Sequence, residues 1–378
     1  MLAMTPPMGF NTWNTFGADI NEDVICETAD AMVEKGLLEA GYNYLVIDDC
    51  WSERDRDPKT GKIIPDHNKF PHGMKAVSDY VHSKGLKFGM YSCAGVRTCA
   101  DYPGSFDHEY LDAETFAEYG CDFLKYDFCF KPNDSNGPLL YHRMGMALKA
   151  CGREILFSAC NWGSDDVGRW IRSTGAHMYR STGDINDSFA SFKDIAMSQI
   201  GNLCYSAPGC FNDIDMLTVG MYGKGNVGSQ GCDDTDYRTQ FTLWCMFSSP
   251  LMLGCDVRSI SDAALKLLTN KEFIKINQDP EARPAYCTGG HPWNGETKVF
   301  MKHLANGEYA MGFYNLGEHD CMVCQYTYEA GLTSNAGYAL ELTNVETGEC
   351  IGRFADYINV FVPRHDCRIF RAKVVKLH

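Results

Sequence analysis

The chain has 378 residues and carries 34 Lys and Arg against 49 Asp and Glu, which gives a net charge of −15 at pH 7. Hydrophobic residues make up 45% of it and aromatic residues 12%, so the composition excludes a disordered chain or a fibrous repeat. The acidic excess argues against a nucleic-acid partner, which needs a basic face. No run approaches the roughly 18 apolar residues of a membrane helix, and the N-terminal segment lacks the basic region of a signal peptide. We therefore expect a cytoplasmic protein with no membrane partner.

Short apolar runs alternate with amphipathic segments over the first three quarters of the chain. Such runs are typical of parallel strands buried on both faces. Helical patterns lie between them, for example behind a cap at Asn21 and in the segment that opens at Ser261. Eight βα units in about 270 residues predict a (β/α)₈ TIM barrel. A doubly wound open sheet is the alternative, although no G-x-G-x-x-G turn follows the first strand. The predicted strands are 8–11, 44–47, 86–91, 123–127, 155–158, 177–180, 211–216 and 251–253.

The last quarter of the chain has a different pattern. From about residue 282 onward there is no long amphipathic helix, and alternating runs at 297–301, 309–314 and 358–362 predict strands. Asn306-Gly307 and Thr347-Gly348 are turn signals between some of them. We therefore predict an α/β barrel over residues 1–282 and a small antiparallel β-sandwich domain over residues 283–378.

Charged and polar side chains stand where the predicted barrel strands end. In a TIM barrel these strand ends meet at one mouth, which is where the active site lies. We therefore expect them to converge on a single site. The residues at these ends are Asp48, Asp49, Tyr91, Lys125, Asp127, Asn161, Trp162, Arg180, Asp184, Asp213 and Asp215.

This set of side chains indicates a substrate and a reaction. Many carboxylates with two cations, several aromatic residues and no phosphate loop indicate an uncharged polyhydroxylated substrate. Two carboxylates that flank an acetal are also the minimal machinery of glycoside hydrolysis, one ionised as nucleophile and the other holding a proton. Lys125 lies two residues before Asp127, which predicts a lowered pKa for Asp127 and the role of nucleophile. Asp184 follows Gly183 on a loop that is free to reach the leaving group.

Five motifs occur in order along the predicted barrel. They are M-G-F-N-T-W-N from Met8, I-D-D-C-W from Ile47, K-Y-D-F-C from Lys125, R-S-T-G-D-I from Arg180 and N-D-I-D-M-L from Asn212. Together they resemble glycoside hydrolase family 27, whose best-known members are α-galactosidases and α-N-acetylgalactosaminidases. The resemblance implies a retaining double displacement on terminal α-linked galactose of an oligosaccharide or glycoconjugate. It also implies that the tail is the family's β-sandwich domain.

The resemblance assigns a role to each candidate residue. Asp127 would be the nucleophile, and Asp184 would be the general acid and then the base. Trp13 would cover the sugar face, while Asp48 and Asp49 would bind the 4- and 6-hydroxyls. No metal and no cofactor is expected, and the resemblance leaves a homo-oligomer open. The remaining substrate-binding residues would be Tyr91, Lys125, Arg180 and Asp215, with Asn161 at the position that recognises the 2-substituent.

Two departures from the family pattern concern specificity and compartment. Galactose-preferring animal enzymes carry Glu at the Asn161 position, some fungal ones carry C-N-W-G as here, and N-acetyl-tolerant members use Ser and Ala. We therefore expect galactose, with an α-N-acetylgalactosaminidase or a β-L-arabinopyranosidase as the alternative. The disulfide partners of Cys50 and Cys160 in secreted relatives are missing, which favours a reducing compartment. Cys99 and Cys129 match a family pair near the site and could bond if oxidised.

Other classes of function fit the residues less well. A catalytically silent sugar-binding protein would lack Asp127 or Asp184, and both are present. A metal-dependent aldolase or isomerase needs clustered oxygen ligands, which a Lys and an Arg beside the carboxylates oppose. Cys321-x-x-Cys324 resembles half of a zinc ribbon but has no second pair nearby, so we interpret it as two structural thiols.

Overall fold

The first part of the chain forms a barrel of eight parallel strands in the computed structural model, which describes residues 2–290 and 295–377. Neighbouring strands pair in chain order from β1 to β7, and β8 pairs with β1. Leu217, just past β7, forms a parallel bridge with Leu253 of β8 and so closes the barrel. The predicted barrel is confirmed, and each of its predicted strands is present. The strands are β1 Met8–Asn11, β2 Tyr44–Val46, β3 Lys87–Cys93, β4 Phe123–Asp127, β5 Leu156–Cys160, β6 Met178–Arg180, β7 Phe211–Asp213 and β8 Leu251–Leu253.

Helices surround the barrel, and several of them begin at side-chain caps, including the two caps that the sequence predicts. The amide oxygen of Asn21 accepts a hydrogen bond from the N–H of Val24 at 2.9 Å, and the hydroxyl of Ser261 accepts one from Ala264 at 3.2 Å. Two short 3₁₀ segments, Ser164–Arg169 and Ile171–Thr174, connect β5 to β6. No helix within the described ranges is long and apolar enough to cross a bilayer. The α-helices are α1 Trp13–Phe16, α2 Glu22–Glu34, α3 Leu37–Ala40, α4 Gly73–Ser83, α5 Glu109–Tyr119, α6 Gly137–Ala150, α7 Phe189–Ser198, α8 Asp234–Met246, α9 Asp262–Leu268 and α10 Lys271–Asn277.

The barrel interior has an apolar floor beneath a polar mouth. Side chains two residues apart on a strand point to the same side, so on β4 Lys125 and Asp127 stand above Phe123. On β6, Arg180 stands above Met178 in the same way. On each strand, the residues two or four positions after a floor residue therefore point toward the mouth. The floor is a buried cluster of Tyr44, Val46, Phe123, Leu156, Met178, Met216 and Met252.

The C-terminal part of the chain consists of two antiparallel sheets around a second apolar core. A six-stranded sheet has the order β14-β13-β16-β11-β10-β9, and a two-stranded sheet pairs β12 with β15. The predicted turns at Asn306-Gly307 and Thr347-Gly348 join β10 to β11 and β13 to β14. The predicted boundary after residue 282 falls between α10 and β9 and stays a prediction. The strands are β9 Tyr286–Gly289, β10 Thr297–His303, β11 Tyr309–Asn315, β12 Cys321–Tyr326, β13 Tyr338–Asn344, β14 Cys350–Phe354, β15 Tyr357–Val362 and β16 Cys367–Lys376.

A buried lysine lies where the six-stranded sheet packs on the barrel. Lys302 of β10 is completely buried, and its ammonium donates to the hydroxyl of Ser248 at 2.7 Å and to the carbonyl of Cys245 at 3.3 Å. Both acceptors are neutral. Burial lowers the pKa of Lys302 from 10.5 to about 8, because a charge in an apolar environment is costly.

Replacing this lysine tests that cost. Below pH 8 the folded and the unfolded chain both carry the proton on Lys302, so the folded state bears the full cost of the buried charge. Between about pH 8 and 10.5 the folded chain releases the proton first, and stability rises with pH. We expect Lys302→Met to be more stable than wild type at pH 7, by up to about 3 kcal/mol, and this advantage to disappear near pH 10.5.

Urea unfolding at a series of pH values measures this difference. Lys298→Met, at a partly exposed lysine of the same strand, is the control and should follow the wild-type pH dependence. A constant difference between Lys302→Met and wild type from pH 7 to 10.5 would contradict the account.

Candidate active site

A cavity opens at the carboxyl ends of the barrel strands. It encloses about 130 Å³, which is room for roughly ten water molecules and therefore for about one monosaccharide. All but one of the predicted site residues line it, since they lie at or just beyond the carboxyl ends of the barrel strands. They are Trp13, Asp48, Asp49, Tyr91, Lys125, Asp127, Arg180, Asp184 and Asp215.

An ion pair between a partly buried lysine and a buried carboxylate forms one side of the cavity. The Lys125 ammonium lies 2.7 Å from Oδ2 of Asp48, which also accepts from the amide of Asn11 at 2.6 Å. The N–H of Asp49 donates to the other Asp48 oxygen at 2.9 Å. Burial alone would lower the pKa of Lys125, but the surrounding acidic groups, with Asp48 contributing most and Asp127 adding to it, together outweigh burial and raise this pKa. Lys125 therefore stays charged and holds Asp48 in place.

The neighbouring carboxylate of Asp49 is held by neutral donors. Its Oδ1 accepts from the N–H of Cys50 at 2.7 Å and from the hydroxyl of Thr98 at 2.9 Å, and its Oδ2 accepts from the N–H of Ala100 at 3.0 Å. Burial raises the pKa of Asp49, and these hydrogen bonds act in the opposite direction. Both acidic residues at the end of β2 thus have fixed orientations.

Asp127 is a buried carboxylate with two donors. The Tyr91 hydroxyl donates to Oδ2 at 3.1 Å, and the N–H of Phe128 donates to Oδ1 at 3.0 Å. Burial raises the pKa of Asp127 to about 6, against the lowering effect of Lys125. The predicted lowering effect of Lys125 is confirmed, but the net direction expected for this pKa is wrong. The Lys125 ammonium is hydrogen-bonded to Asp48, and burial has the larger effect on Asp127.

A second cation joins two carboxylates on the other side of the cavity. Nη2 of Arg180 lies 2.8 Å from Oδ1 of Asp184 and 2.8 Å from Oδ2 of Asp215. The Asp184 side chain is 79% exposed, whereas that of Asp215 is only 5% exposed. Asp215 has a φ of 86°, a strained conformation for a residue other than glycine. The N–H groups of Ile185 and Met216, each at 2.7 Å from its carboxylate, stabilise it there.

Asn161 is the predicted site residue that does not line the cavity. It is fully buried, and its amide donates to the carbonyl of Ser164 at 2.8 Å. Its amide oxygen has no hydrogen-bond partner in the part of the chain that the structure describes. The residues on either side, Cys160 and Trp162, line the cavity instead. The role of Asn161 in recognising a 2-substituent stays a prediction.

Several lining residues were absent from the predicted binding set. Period-two alternation would have identified two of them, because Ser158 and Cys160 follow the floor residue Leu156 on β5. Asn11 and Asn14 belong to the first motif, but their amides carry no charge to mark them. The further lining residues include Asn11, Asn14, Cys99, Ser158, Cys160, Ile185 and Val227, together with Trp162 and Asp213, which the sequence analysis placed at strand ends without a binding role.

A disulfide joins Cys99 to Cys129 beside the cavity, with 5.2 Å between their Cα atoms. This is the pair that the family resemblance allowed, whereas reduced thiols were the general expectation for this chain. Cys99 itself lines the cavity, and its sulfur lies 3.5 Å from the Tyr91 hydroxyl. Within the described residues, one group has metal-ligand spacing, namely Cys99, Asp127 and Cys129, and its sulfurs are already bonded to each other. The cytoplasmic location stays a prediction.

Comparison with known proteins connects this geometry to a family. Residues 5–279 match the sequence family described as alpha galactosidase A. An α-galactosidase from Cyamopsis tetragonoloba is 47% identical over 279 residues, which is 74% of this chain and 65% of the relative, so the chain spans just under two thirds of that protein's length. An α-galactosidase from Oryza sativa is 38% identical over 98% of this chain and 85% of its own. The crystal structure of α-galactosidase I from Mortierella vinacea has a TM-score of 0.89 at 32% identity, covering 98% of this chain and 97% of that one.

Removing the cation of the first ion pair should destabilise the protein. Lys125→Met leaves the Asp48 carboxylate buried without a counter-charge, and we expect a loss of about 3 kcal/mol. Adding Asp48→Asn should restore most of it, since the uncompensated charge is then gone. Urea unfolding at pH 7 measures both effects.

A lysine in an exposed pair provides the control. Lys62→Met removes the partner of Glu118 at the surface and should change stability by less than about 1 kcal/mol. Equal effects of the Lys125 and Lys62 replacements would show that burial does not govern the first pair.

Proposed function

Since this chain belongs to the alpha galactosidase A family of glycoside hydrolases, we propose that it removes terminal α-D-galactosyl residues with retention of configuration. The observation that carries this proposal is the placement of Asp127 and Asp184 on one cavity with room for about one sugar ring. The relatives' names supply the choice of galactose. A pocket of this size fits a chain end better than the middle of a polymer, which favours exo-hydrolysis.

In the proposed reaction Asp127 acts as the nucleophile. Its ionised oxygen attacks the anomeric carbon while the carboxylic acid of Asp184 gives its proton to the departing glycosidic oxygen, which leaves as an alcohol. Asp184 then takes a proton from water as that water attacks the anomeric carbon and releases the Asp127 carboxylate. The donors Tyr91 and Phe128 hold the nucleophile in one orientation throughout.

The environments of the two carboxylates suit these different roles. Asp127 is 6% exposed and held by two donors, so it can face the sugar without competing water. The Asp184 side chain is 79% exposed, so the water that it deprotonates in the second step can reach it. Arg180 contacts Asp184 at 2.8 Å and limits where its carboxylate can move.

The other lining residues supply recognition in this proposal. Asp48 and Asp49 would accept hydrogen bonds from the 4- and 6-hydroxyls, and the Lys125 ammonium beside Asp48 would donate one. Trp13 would cover the apolar face of the pyranose. These groups are already oriented by their neighbours, so binding would require little reorganisation.

The reaction should have an acidic limit set by Asp127. The nucleophile must be ionised, and burial raises its pKa to about 6, so kcat/KM should fall as the pH decreases below about 6. Tyr91→Phe removes a hydrogen bond that favours the ionised form, and it should move this limit upward by about one pH unit. Initial rates on p-nitrophenyl α-D-galactoside, quenched with alkali at each pH, give both profiles. An acidic limit that is the same in Tyr91→Phe and wild type would contradict the assignment.

Azide rescue distinguishes the two carboxylates. Asp127→Ala should abolish turnover, and added azide should restore part of it as the β-galactosyl azide, since azide attacks from the vacated side. Asp184→Ala should keep the nucleophile, and its azide product should have the α configuration. NMR of the products identifies the anomer, and the opposite assignment of products would reverse the two roles.

A panel of nitrophenyl glycosides tests the substrate. We expect the highest kcat/KM on the α-D-galactoside, compared with the α-N-acetylgalactosaminide and the β-L-arabinopyranoside. Added chelator should leave these rates unchanged, since the proposed chemistry uses no metal. Absence of galactoside hydrolysis between pH 4 and 8 would reject the proposed function, and a higher rate on either other glycoside would select that alternative.

A further inference from the structure

The two-stranded sheet of the C-terminal part has an unusual outer surface, which we call the aromatic face. Inward residues of β12 and β15, such as Val323, Ile358 and Val362, are completely buried in the second core. The outward residues pair across the strands in register, Met322 with Phe361, Cys324 with Asn359 and Tyr326 with Tyr357. The aromatic face consists of these six outward residues and the adjoining Tyr328.

The aromatic side chains of this face are largely exposed to solvent. Tyr326 is 46% exposed, Tyr328 62%, Tyr357 57% and Phe361 54%. The rings of Tyr326 and Tyr328 stack, with centroids 5.5 Å apart and planes 25° apart. The solvent face of an antiparallel sheet is normally polar, and contiguous apolar patches at a surface commonly mark binding sites.

The charge around the aromatic face disfavours anionic ligands. None of its residues is charged. The exposed charged residues that adjoin it along the chain are Glu329 and Asp356 at one end and Asp320 and Arg364 at the other, three acids against one cation. A nucleic acid or an anionic membrane would require lysines or arginines next to the rings. The ligand should therefore be uncharged.

A second copy of the chain fits the aromatic face less well. A stable protein interface uses about 20–30 residues on each side, far more than these side chains offer. Each copy also carries a net charge of −15, which opposes association of like copies. The predominance of tyrosine favours a polyol instead, because a phenol ring has an apolar surface and a hydrogen-bonding edge.

We propose that the aromatic face binds the backbone of a neutral polysaccharide, at a site separate from the catalytic cavity. The pairs Tyr326–Tyr357 and Met322–Phe361 lie four residues apart along the strands, a distance of roughly 13 Å, so the face contacts more than one sugar unit. The six-stranded sheet lies between this face and the barrel, since its own two sides pack against the barrel and the second core. The inference rests on the proposed function in one respect, namely that the polysaccharide is one that carries α-galactosyl branches.

Native electrophoresis through gels that contain polysaccharide tests this proposal. One gel holds a neutral polymer with α-galactosyl branches, and a second holds the same backbone with its branches removed. We expect the wild-type protein to be retarded by both. Tyr326→Ala/Tyr357→Ala should bind the unbranched polymer with a dissociation constant roughly tenfold higher, because two stacking surfaces are lost. All variants should hydrolyse p-nitrophenyl α-D-galactoside at the wild-type rate.

A matched control removes two exposed tyrosines elsewhere. Tyr110 of α5 and Tyr286 of β9 are 53% and 41% exposed, and Tyr110→Ala/Tyr286→Ala should be retarded like wild type. If the first double variant melts at a lower temperature, Tyr328→Ala decides instead, because Tyr328 lies on a turn outside the paired strands.

Two results would overturn the proposal. One is no retardation of wild type by the unbranched polymer. The other is a dimer in sedimentation that becomes a monomer in Tyr326→Ala/Tyr357→Ala, which would identify a second copy as the occupant. Retardation without hydrolysis of the small glycoside would reject the proposed function while leaving the polysaccharide site supported.

Discussion

Two cations that are paired with buried carboxylates organise the mouth of the barrel. Lys125 and Arg180 stand on β4 and β6 and each lies 2.7–2.8 Å from a carboxylate that is almost inaccessible to water, Asp48 and Asp215. A carboxylate buried in this way without a counter-charge would be strongly destabilising. The cations therefore make it feasible to gather several acids at one end of an otherwise apolar barrel. The same contacts orient the acids, so the site is largely preformed.

The unequal distribution of these cations gives the carboxylates different properties. Lys125 is hydrogen-bonded to Asp48, which leaves Asp127 with neutral donors and with a pKa raised by burial to about 6. Asp184 is paired with Arg180 but open to solvent. A reaction that needs a nucleophile and a separate proton donor can use such a difference, because one group is shielded from water and the other exchanges protons with it.

The C-terminal sheets combine a structural and an interactive surface. One side of the six-stranded sheet completes the core of the barrel, and its other side forms a second core with the two-stranded sheet. This leaves the outer side of the small sheet free of any packing role. The inward residues already close the second core, so tyrosines on the outer side are not needed to fill it, and this makes a binding role reasonable.

The local pattern of the sequence determined the barrel and most of its site. The apolar runs of the eight strands and the polar residues that follow them are adjacent in the chain. In a barrel the carboxyl ends of all parallel strands meet at one mouth, so these polar residues converge whatever contacts they make there. Tertiary structure alone decided which acid each cation contacts, because Asp48 and Lys125 are 77 residues apart. For the same reason the sequence predicted the wrong direction for the pKa of Asp127, since spacing along one strand shows neither burial nor competing partners. Only the fold placed Asn161 behind the wall formed by Cys160 and Trp162, and only the cross-strand register assembled an aromatic face from two distant segments.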